Sequence, residues 1–185
     1  MLLPLAAVAT AALVALHLVG ERRGAPALRA AGTEGPFRRA ILVALVLSAL
    51  GDALLLSRRK PLFLGGLVAF LLAHVAYALA LWPASRPSAL AGGAILVATA
   101  QVLGWLWPHA GELRPAVVAY AGVIAAMVWL ALGVDRNPIR AGAVLFWLSD
   151  LAVARDRFVR PGFVNPLVGL PLYYAAQLLL ASAAG

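Results

Sequence analysis

Residues 40–57 constrain the fold more than any other part of this chain. The stretch reads AILVALVLSALGDALLLS, so it is 18 residues long and almost wholly apolar. That is the length of a helix that crosses a bilayer. One carboxylate, Asp52, lies inside it. Ionised at the bilayer centre, such a group costs on the order of 2.5–3.5 kcal/mol, so a helix used only for packing would carry alanine here. A second carboxylate, Asp150, repeats the pattern in AGAVLFWLSDLAVA.

The composition indicates that lipid surrounds most of the protein. Of the 185 residues, 64% are hydrophobic and only 12% are charged, and the mean hydropathy is +0.95. A soluble domain carries about 25% charged residues. The net charge of +8 would favour nucleic acid in a soluble protein. Here the cations lie in short segments between apolar runs, so we expect them to meet lipid headgroups and expect no nucleic-acid partner. The absence of cysteine excludes disulfides and thiolate chemistry.

The apolar runs predict an all-α, polytopic transmembrane helical bundle of about seven spans in one domain, residues 1–185. The first run has no basic segment before it, so it predicts a retained helix and not a cleaved signal peptide. A polar linker, residues 20–39, follows it. Arg22 and Arg23 behind the first helix favour an outside N terminus in a multi-pass protein of the plasma membrane. The predicted spans are 2–19, 40–57, 62–82, 88–107, 115–134, 139–154 and 164–184.

The spacing of the two carboxylates predicts that they lie at nearly the same depth. Their helices are the second and sixth predicted spans and therefore run in the same direction. Asp52 and Asp150 stand at similar distances from the starts of these spans, and each residue adds 1.5 Å. The alternative is a local ion pair or a carboxylate satisfied by neighbouring backbone. No cation stands at i+3 or i+4 from either acid, whereas Ser48 stands four residues before Asp52. We therefore favour a functional pair.

Other polar side chains stand in mid-span. Phe70, His74 and Tyr77 share one face by i, i+4, i+7 spacing, although a lone intramembrane histidine is as often only a hydrogen-bond donor between helices. Tyr173 and Tyr174 both stand within reach of Gln177, at i+4 and i+3, and favour a cavity lining.

A metal site is weakly supported by the residues. His74, Asp52 and Asp150 could hold a hard metal. No two histidines stand at i, i+4, however, so we predict neither a metal nor a cofactor.

Four motifs in order resemble the YhhN/TMEM86 family of membrane lysoplasmalogenases. They are SALGDALLL, FLLAHVAY, LFWLSDLAVA and YYAAQLLL, and they cover residues 39 to the C terminus. The resemblance implies a helical membrane hydrolase that cleaves the vinyl ether bond of lysoplasmalogens to a fatty aldehyde and a glycerophospho-base. The family usually has eight spans, with a Lys-Pro-Leu-bearing helix before the Gly-Asp helix, where this chain has only its linker. The missing wall would stay open or be filled by a second copy, which makes a homodimer an expected partner beside the bilayer and a lysophospholipid-like substrate.

Two buried carboxylates suit this chemistry. Vinyl ether hydrolysis needs an acid that protonates carbon and an anion beside the developing oxocarbenium ion, the division of labour that glycosidases use. Asp52 and Asp150 are the predicted catalytic residues, in either order, and the basic loops would hold the phosphate. The residues expected to orient water or substrate are His74, Tyr77, Ser48, Ser149, Tyr173, Tyr174 and Gln177.

A second interpretation comes from another class of protein. In a proton-coupled transporter or lipid-binding membrane protein, the same acids would form a proton relay. The spans lack the Gly/Pro-interrupted half-helices expected at such a site, which favours the enzyme. A purely structural membrane protein is disfavoured by the cost of the two acids.

Overall fold

The computed structural model describes residues 34–57 and 59–183, and every regular element in this part of the chain is helical. The all-α class is therefore confirmed. The predicted first span and most of the predicted linker lie outside the described residues. The described α-helices are α1 (Glu34–Leu55), α2 (Lys60–Leu81), α3 (Ala89–Ala110), α4 (Arg114–Leu132), α5 (Asn137–Ala154) and α6 (Val164–Ser182). Short 3₁₀ turns, Trp82–Ala84 and Gly111–Leu113, and a π-helical turn, Arg155–Val159, lie in the connections.

The helices begin where the local sequence permits. Pro61, Pro115 and Pro138 stand in the first turns of α2, α4 and α5, where the missing N–H has no helical partner to lose. Helix α3 begins after a serine cap instead, since the Ser88 hydroxyl accepts a hydrogen bond from the Ala91 N–H at 3.1 Å. Each apolar run thus becomes a separate helix with a short connection to the next.

Two predicted boundaries are wrong. Helix α1 begins at Glu34, because Phe37 is buried in the core and the basic residues after it continue the helix. The predicted linker therefore ends too late. Helix α3 continues past residue 107 to Ala110, with Pro108 inside its last turn. It ends before Gly111, whose φ of 51° is readily adopted only by glycine.

Five of the described helices form a ring around one interior. Helix α1 packs along α2, α2 against α4, α4 against α5 and α5 along α6, and α6 touches α1. Helix α3 lies outside this ring and packs against α4. The core inside the ring contains large fully buried side chains, among them Ile41, Leu45, Tyr77 and Phe146. Side chains from all five ring helices can therefore converge.

The helices have the length and exposure expected of a protein in a membrane. Three stretches of the described residues are long and apolar enough to cross a bilayer: Lys60–Ala84, Ala89–Leu132 and Val164–Ser182. The second contains both α3 and α4. Large apolar side chains face outward, and Leu90 is 85% exposed. The chain is an integral membrane protein, and the count of seven spans stays a prediction.

Two glycines bring α1 and α2 into close contact beside Asp52. A Cβ atom on Gly51 would lie 2.6 Å from the ring of Phe70, and one on Gly66 would lie 2.8 Å from Leu55. Small residues are the usual device for close helix packing in membranes, where no hydrophobic force drives helices together. Gly51 therefore sets how near Asp52 lies to α2.

We expect Gly51→Ala to lower the free energy of unfolding by about 1–3 kcal/mol, because the new methyl group would overlap the Phe70 ring. Gly93→Ala is the matched control, since a Cβ atom there meets nothing within 4 Å. Unfolding by heat or by SDS in detergent would measure both. Equal stability of the two variants would contradict close packing at Gly51.

Candidate active site

Asp52 and Asp150, the two carboxylates predicted to lie in apolar spans, are near the same end of the bundle. Asp52 stands three residues before the end of α1, and Asp150 stands four residues before the end of α5. Asp52 is 8% exposed and the Asp150 side chain 17%. Tyr173, which bonds Asp52, and His74, which lies beside Asp150, both contact the ring of Phe146. The two carboxylates therefore flank one aromatic cluster.

Asp52 terminates a hydrogen-bonded network that joins three helices. The Tyr173 hydroxyl on α6 donates to Asp52 Oδ2 at 2.8 Å. The Gln177 amide donates to the Tyr173 hydroxyl at 3.1 Å, one turn along the same helix. The Tyr77 hydroxyl on α2 donates to Gln177 Oε1 at 2.5 Å. We call Asp52, Tyr173, Gln177 and Tyr77 the Asp52 network. All four side chains are buried, so each donor supports the next in a low-dielectric interior.

Asp150 has different partners. The Tyr120 hydroxyl on α4 donates to Asp150 Oδ2 at 2.8 Å. His74 Nε2 on α2 lies 3.6 Å from the same oxygen, an ion-pair distance but too long for a hydrogen bond. His74 is 1% exposed, and neither ring nitrogen has a hydrogen-bond partner among the described residues. We call Asp150, Tyr120 and His74 the Asp150 group.

The ring of Phe146 on α5 lies between the two groups. It packs edge-on against His74 at 4.6 Å between ring centroids, and against Tyr173 at 5.4 Å and Tyr77 at 6.1 Å. Phe146 is fully buried. It therefore contacts members of both groups. The site thus consists of two carboxylates in different polar surroundings with an aromatic partition.

The structure places the remaining predicted residues around this site. Ser48 is buried one turn before Asp52, and its hydroxyl has no hydrogen-bond partner among the described residues. Ser149 is buried and donates to the carbonyl of Phe146 on its own helix at 2.7 Å, a local bond common for helical serine. It does not reach the carboxylates through that bond.

Tyr174 departs from the predicted pairing. Its hydroxyl is buried without a partner in the described part of the chain, so the expected pairing with Gln177 is not made. The amide of Gln177 bonds Tyr77 and Tyr173 instead. The Tyr174 ring instead packs against the Tyr173 ring at 5.4 Å.

Sequence reasoning missed Tyr120. Its signal was present, because it is a tyrosine in the middle of an apolar span, the same feature that singled out Tyr173. It stood alone on its helix face, however, without a polar residue at i+3 or i+4.

The metal alternative finds no geometric support. Among residues 34–57 and 59–183, no cluster of three or more His, Asp or Glu side chains could hold a metal ion.

Comparison with known proteins gives one family. A family model described as the YhhN family matches residues 2–184. Curated relatives are named lysoplasmalogenase. The Mycobacterium bovis protein is 38% identical over 163 residues, covering 80% of this chain and 61% of its own length. Lysoplasmalogenase TMEM86A of Bos taurus is 32% identical over 161 residues, which cover 80% of this chain and 66% of the relative. Human lysoplasmalogenase TMEM86B is 34% identical over 152 residues, which cover 81% of this chain and 65% of the relative. The chain thus spans about three-fifths of the length of the first relatives it matches. No solved structure matches the chain.

The Asp52 network generates a stability prediction. Tyr77→Phe leaves the Gln177 carbonyl oxygen unpaired and should cost about 1–3 kcal/mol of unfolding free energy. Gln177→Leu should cost a similar amount. The double variant should lose less than the sum of the two, with a coupling of about 0.5–3 kcal/mol, because both remove the same bond.

The control pairs Tyr77→Phe with Ser182→Ala. Ser182 is exposed on α6, and its hydroxyl bonds the carbonyl of Leu179 on its own helix. These two changes should be additive. If the losses of Tyr77→Phe and Gln177→Leu are additive too, the two side chains are not energetically coupled. Unfolding in detergent provides the measurement.

Proposed function

Because the chain belongs to the YhhN family, we propose that it is a membrane hydrolase of lysoplasmalogens. It cleaves the vinyl ether bond and releases a fatty aldehyde and a glycerophospho-base. The names of the relatives support the substrate class. The observation that carries the proposal is the pair of carboxylates near one end of the bundle, each in its own polar surroundings.

The proposed reaction has three steps. A carboxylic acid protonates the β-carbon of the vinyl ether, and the π bond is replaced by an oxocarbenium ion centred on the α-carbon and the ether oxygen. Water adds to the α-carbon while a carboxylate removes a proton, which gives a hemiacetal. The hemiacetal then loses its hydroxyl proton, its bond to the glycerol oxygen breaks, and that oxygen takes up a proton. One water is consumed, and no oxidant or metal is needed.

The surroundings of the two carboxylates suggest different roles. Both carboxylates accept a hydrogen bond from a tyrosine at 2.8 Å. Tyr173, however, itself accepts from Gln177, which polarises its hydroxyl and strengthens its bond to the Asp52 anion. We assign Asp52 as the anion beside the oxocarbenium ion and as the base for water. Asp150 lies 3.6 Å from His74, a second titratable group that can replace its proton. We assign Asp150 as the acid, positioned by Tyr120.

The cellular setting is part of the same proposal. We place the protein in the plasma membrane, with the substrate's alkenyl chain in the hydrocarbon layer. A homodimer also belongs to the proposal.

Asp52→Asn and Asp150→Asn should each lower aldehyde release from lysoplasmalogen by about 10²–10⁴-fold, the usual contribution of an acid or base. Each variant should still purify as folded protein in detergent. The control is Asp135→Asn, since Asp135 is fully exposed and, within the described residues, its side chain bonds Arg140 alone. Near-normal turnover in both site variants would contradict the proposal. Lipid movement without chemical change in the wild-type protein would instead identify a transporter.

Isotopes test the bond that breaks. In D₂O the aldehyde, trapped at once by reduction, should carry one deuterium on the carbon next to the former carbonyl. In H₂¹⁸O the label should enter the aldehyde and not the glycerol. Label in the glycerol product would show that water attacks the other side of the ether oxygen.

The two roles can be separated by a cationic mimic of the oxocarbenium ion. A lysolipid with a protonated secondary amine in place of the vinyl ether should bind wild-type protein and Asp150→Asn. It should bind Asp52→Asn at least about tenfold more weakly, because the opposing charge is lost. Calorimetry in detergent measures this. Weaker binding to Asp150→Asn than to Asp52→Asn would reverse the assignment.

A further inference from the structure

The end of the bundle nearest the carboxylates is rich in cations. Helices α1, α3 and α5 end there, and α2, α4 and α6 begin there. The described basic residues at this end are Arg59, Lys60, Arg114, Arg155, Arg157 and Arg160. The connection that follows Asp150 carries three of them. An anionic group held at this end would therefore lie above the reacting bond.

The connection after α5 is a fixed π-helical turn. The Arg160 N–H bonds the Arg155 carbonyl at 2.8 Å, which closes the wide turn. Asn165, buried at the start of α6, donates to Asp156 Oδ1 and to the Arg160 carbonyl, both at 2.8 Å. The Gly162 N–H also donates to Asp156 Oδ1, at 2.9 Å. The Asp156 carboxylate is thus engaged within the turn. Widened turns of this kind often occur at functional sites.

Among these cations, Arg157 is both held in place and available. Its guanidinium lies over the ring of Phe63 on α2, 4.0 Å from the ring centroid, and makes no hydrogen bond to an acceptor within the described residues. Arg155 by contrast donates to Asn165 Oδ1 at 2.5 Å, and Lys60 pairs with Glu112 at 3.2 Å. Stacking on an aromatic ring fixes the plane of a guanidinium and leaves its N–H groups free for an oxyanion.

The distance from Arg157 to the carboxylates suits a glycerophosphate. Phe63 and Phe70 stand seven residues apart on α2, which is two turns or about 10 Å. Phe70 packs over Gly51, next to Asp52, and against the Tyr173 ring at 5.9 Å. The guanidinium over Phe63 thus lies about two helical turns from the Asp52 network. That separation matches a glycerol unit with a phosphate at one end and the reacting ether at the other.

We propose that Arg157, stacked on Phe63 and carried by the π-helical turn, binds the phosphate of a single-chain glycerophospholipid and sets the depth of its ether bond. This inference rests on the proposed function, because it names the headgroup chemistry that the same site selects. The Phe63–Arg157 pair is a specificity element for substrates that contain phosphate.

The test compares Arg157→Gln with Arg114→Gln in the full-length protein. Arg114 lies at the same end and also stacks on an aromatic ring, 4.9 Å from the centroid of Trp107. The two substrates are an alkenyl lysophosphatidylcholine and the corresponding alkenylglycerol without phosphate. Arg157→Gln should raise KM for the phospholipid about 10- to 100-fold, the worth of one charge-assisted hydrogen bond. It should leave kcat for the phospholipid, and both kcat and KM for alkenylglycerol, within about twofold of the wild-type values. Arg157→Lys should bring KM for the phospholipid part of the way back to the wild-type value. Arg114→Gln should change the constants for neither substrate.

Two results would overturn the inference. One is an unchanged KM for the phospholipid in Arg157→Gln. The other is an equal rise in KM for both substrates, which would mean that Arg157 meets bilayer phosphates and not the substrate. A saturated alkyl-ether lysophosphatidylcholine provides a readout that does not depend on turnover. If the wild-type protein hydrolyses neither substrate, the proposed function fails, but weaker calorimetric binding of this lipid to Arg157→Gln still supports the phosphate site. Equal binding to both proteins would overturn it.

Discussion

The structure depends on one requirement: a carboxylate buried among apolar helices must receive a hydrogen bond. Asp52 receives it from Tyr173, 121 positions along the chain. This bond joins α1 to α6, which otherwise touch over a short length. Gln177 and Tyr77 then connect the same site to α2. The cost of leaving a buried polar group unpaired is larger than the gain from making one more bond. The network therefore fixes where three helices meet, besides holding the proposed catalytic carboxylate.

Close packing makes these polar contacts possible. Helices in lipid gain little from hiding apolar surface against each other, so small residues at the crossings determine how near the backbones come. Gly51 admits the Phe70 ring beside Asp52, and Gly142 admits Leu180 between α5 and α6. Phe146 then fills the centre and contacts rings from α2 and α6. Fold and site share the same residues, so changes that loosen the helices also disturb the carboxylates.

Relations within one helix could be predicted from the sequence, whereas contacts between helices could not. Counting residues indicated that Asp52 and Asp150 lie at similar depth, and i+4 spacing placed Tyr173 beside Gln177, because helix periodicity fixes such relations. Spacing could not show that Tyr120 donates a hydrogen bond to Asp150 or that Tyr174 makes no bond to Gln177. Both outcomes depend on which helices become neighbours. The start of α1 at Glu34 was missed for a similar reason. Polar composition indicated a linker, but burial of Phe37 extends the helix.

The position of the carboxylates near helix ends bears on how the proposed reaction could work in a membrane. Both carboxylates stand three or four residues from the ends of α1 and α5, about 5 Å along a helix, so they lie near one end of the bundle and not at its middle. For the proposed reaction, water would enter from this end while the alkenyl chain extends into hydrocarbon. In a deeper site, ionising either carboxylate would cost more free energy. A site in the aqueous phase would have to extract the lipid from the membrane. In the proposal, this position suits both a charged intermediate and an apolar substrate, and the different neighbours of the two carboxylates give them different roles.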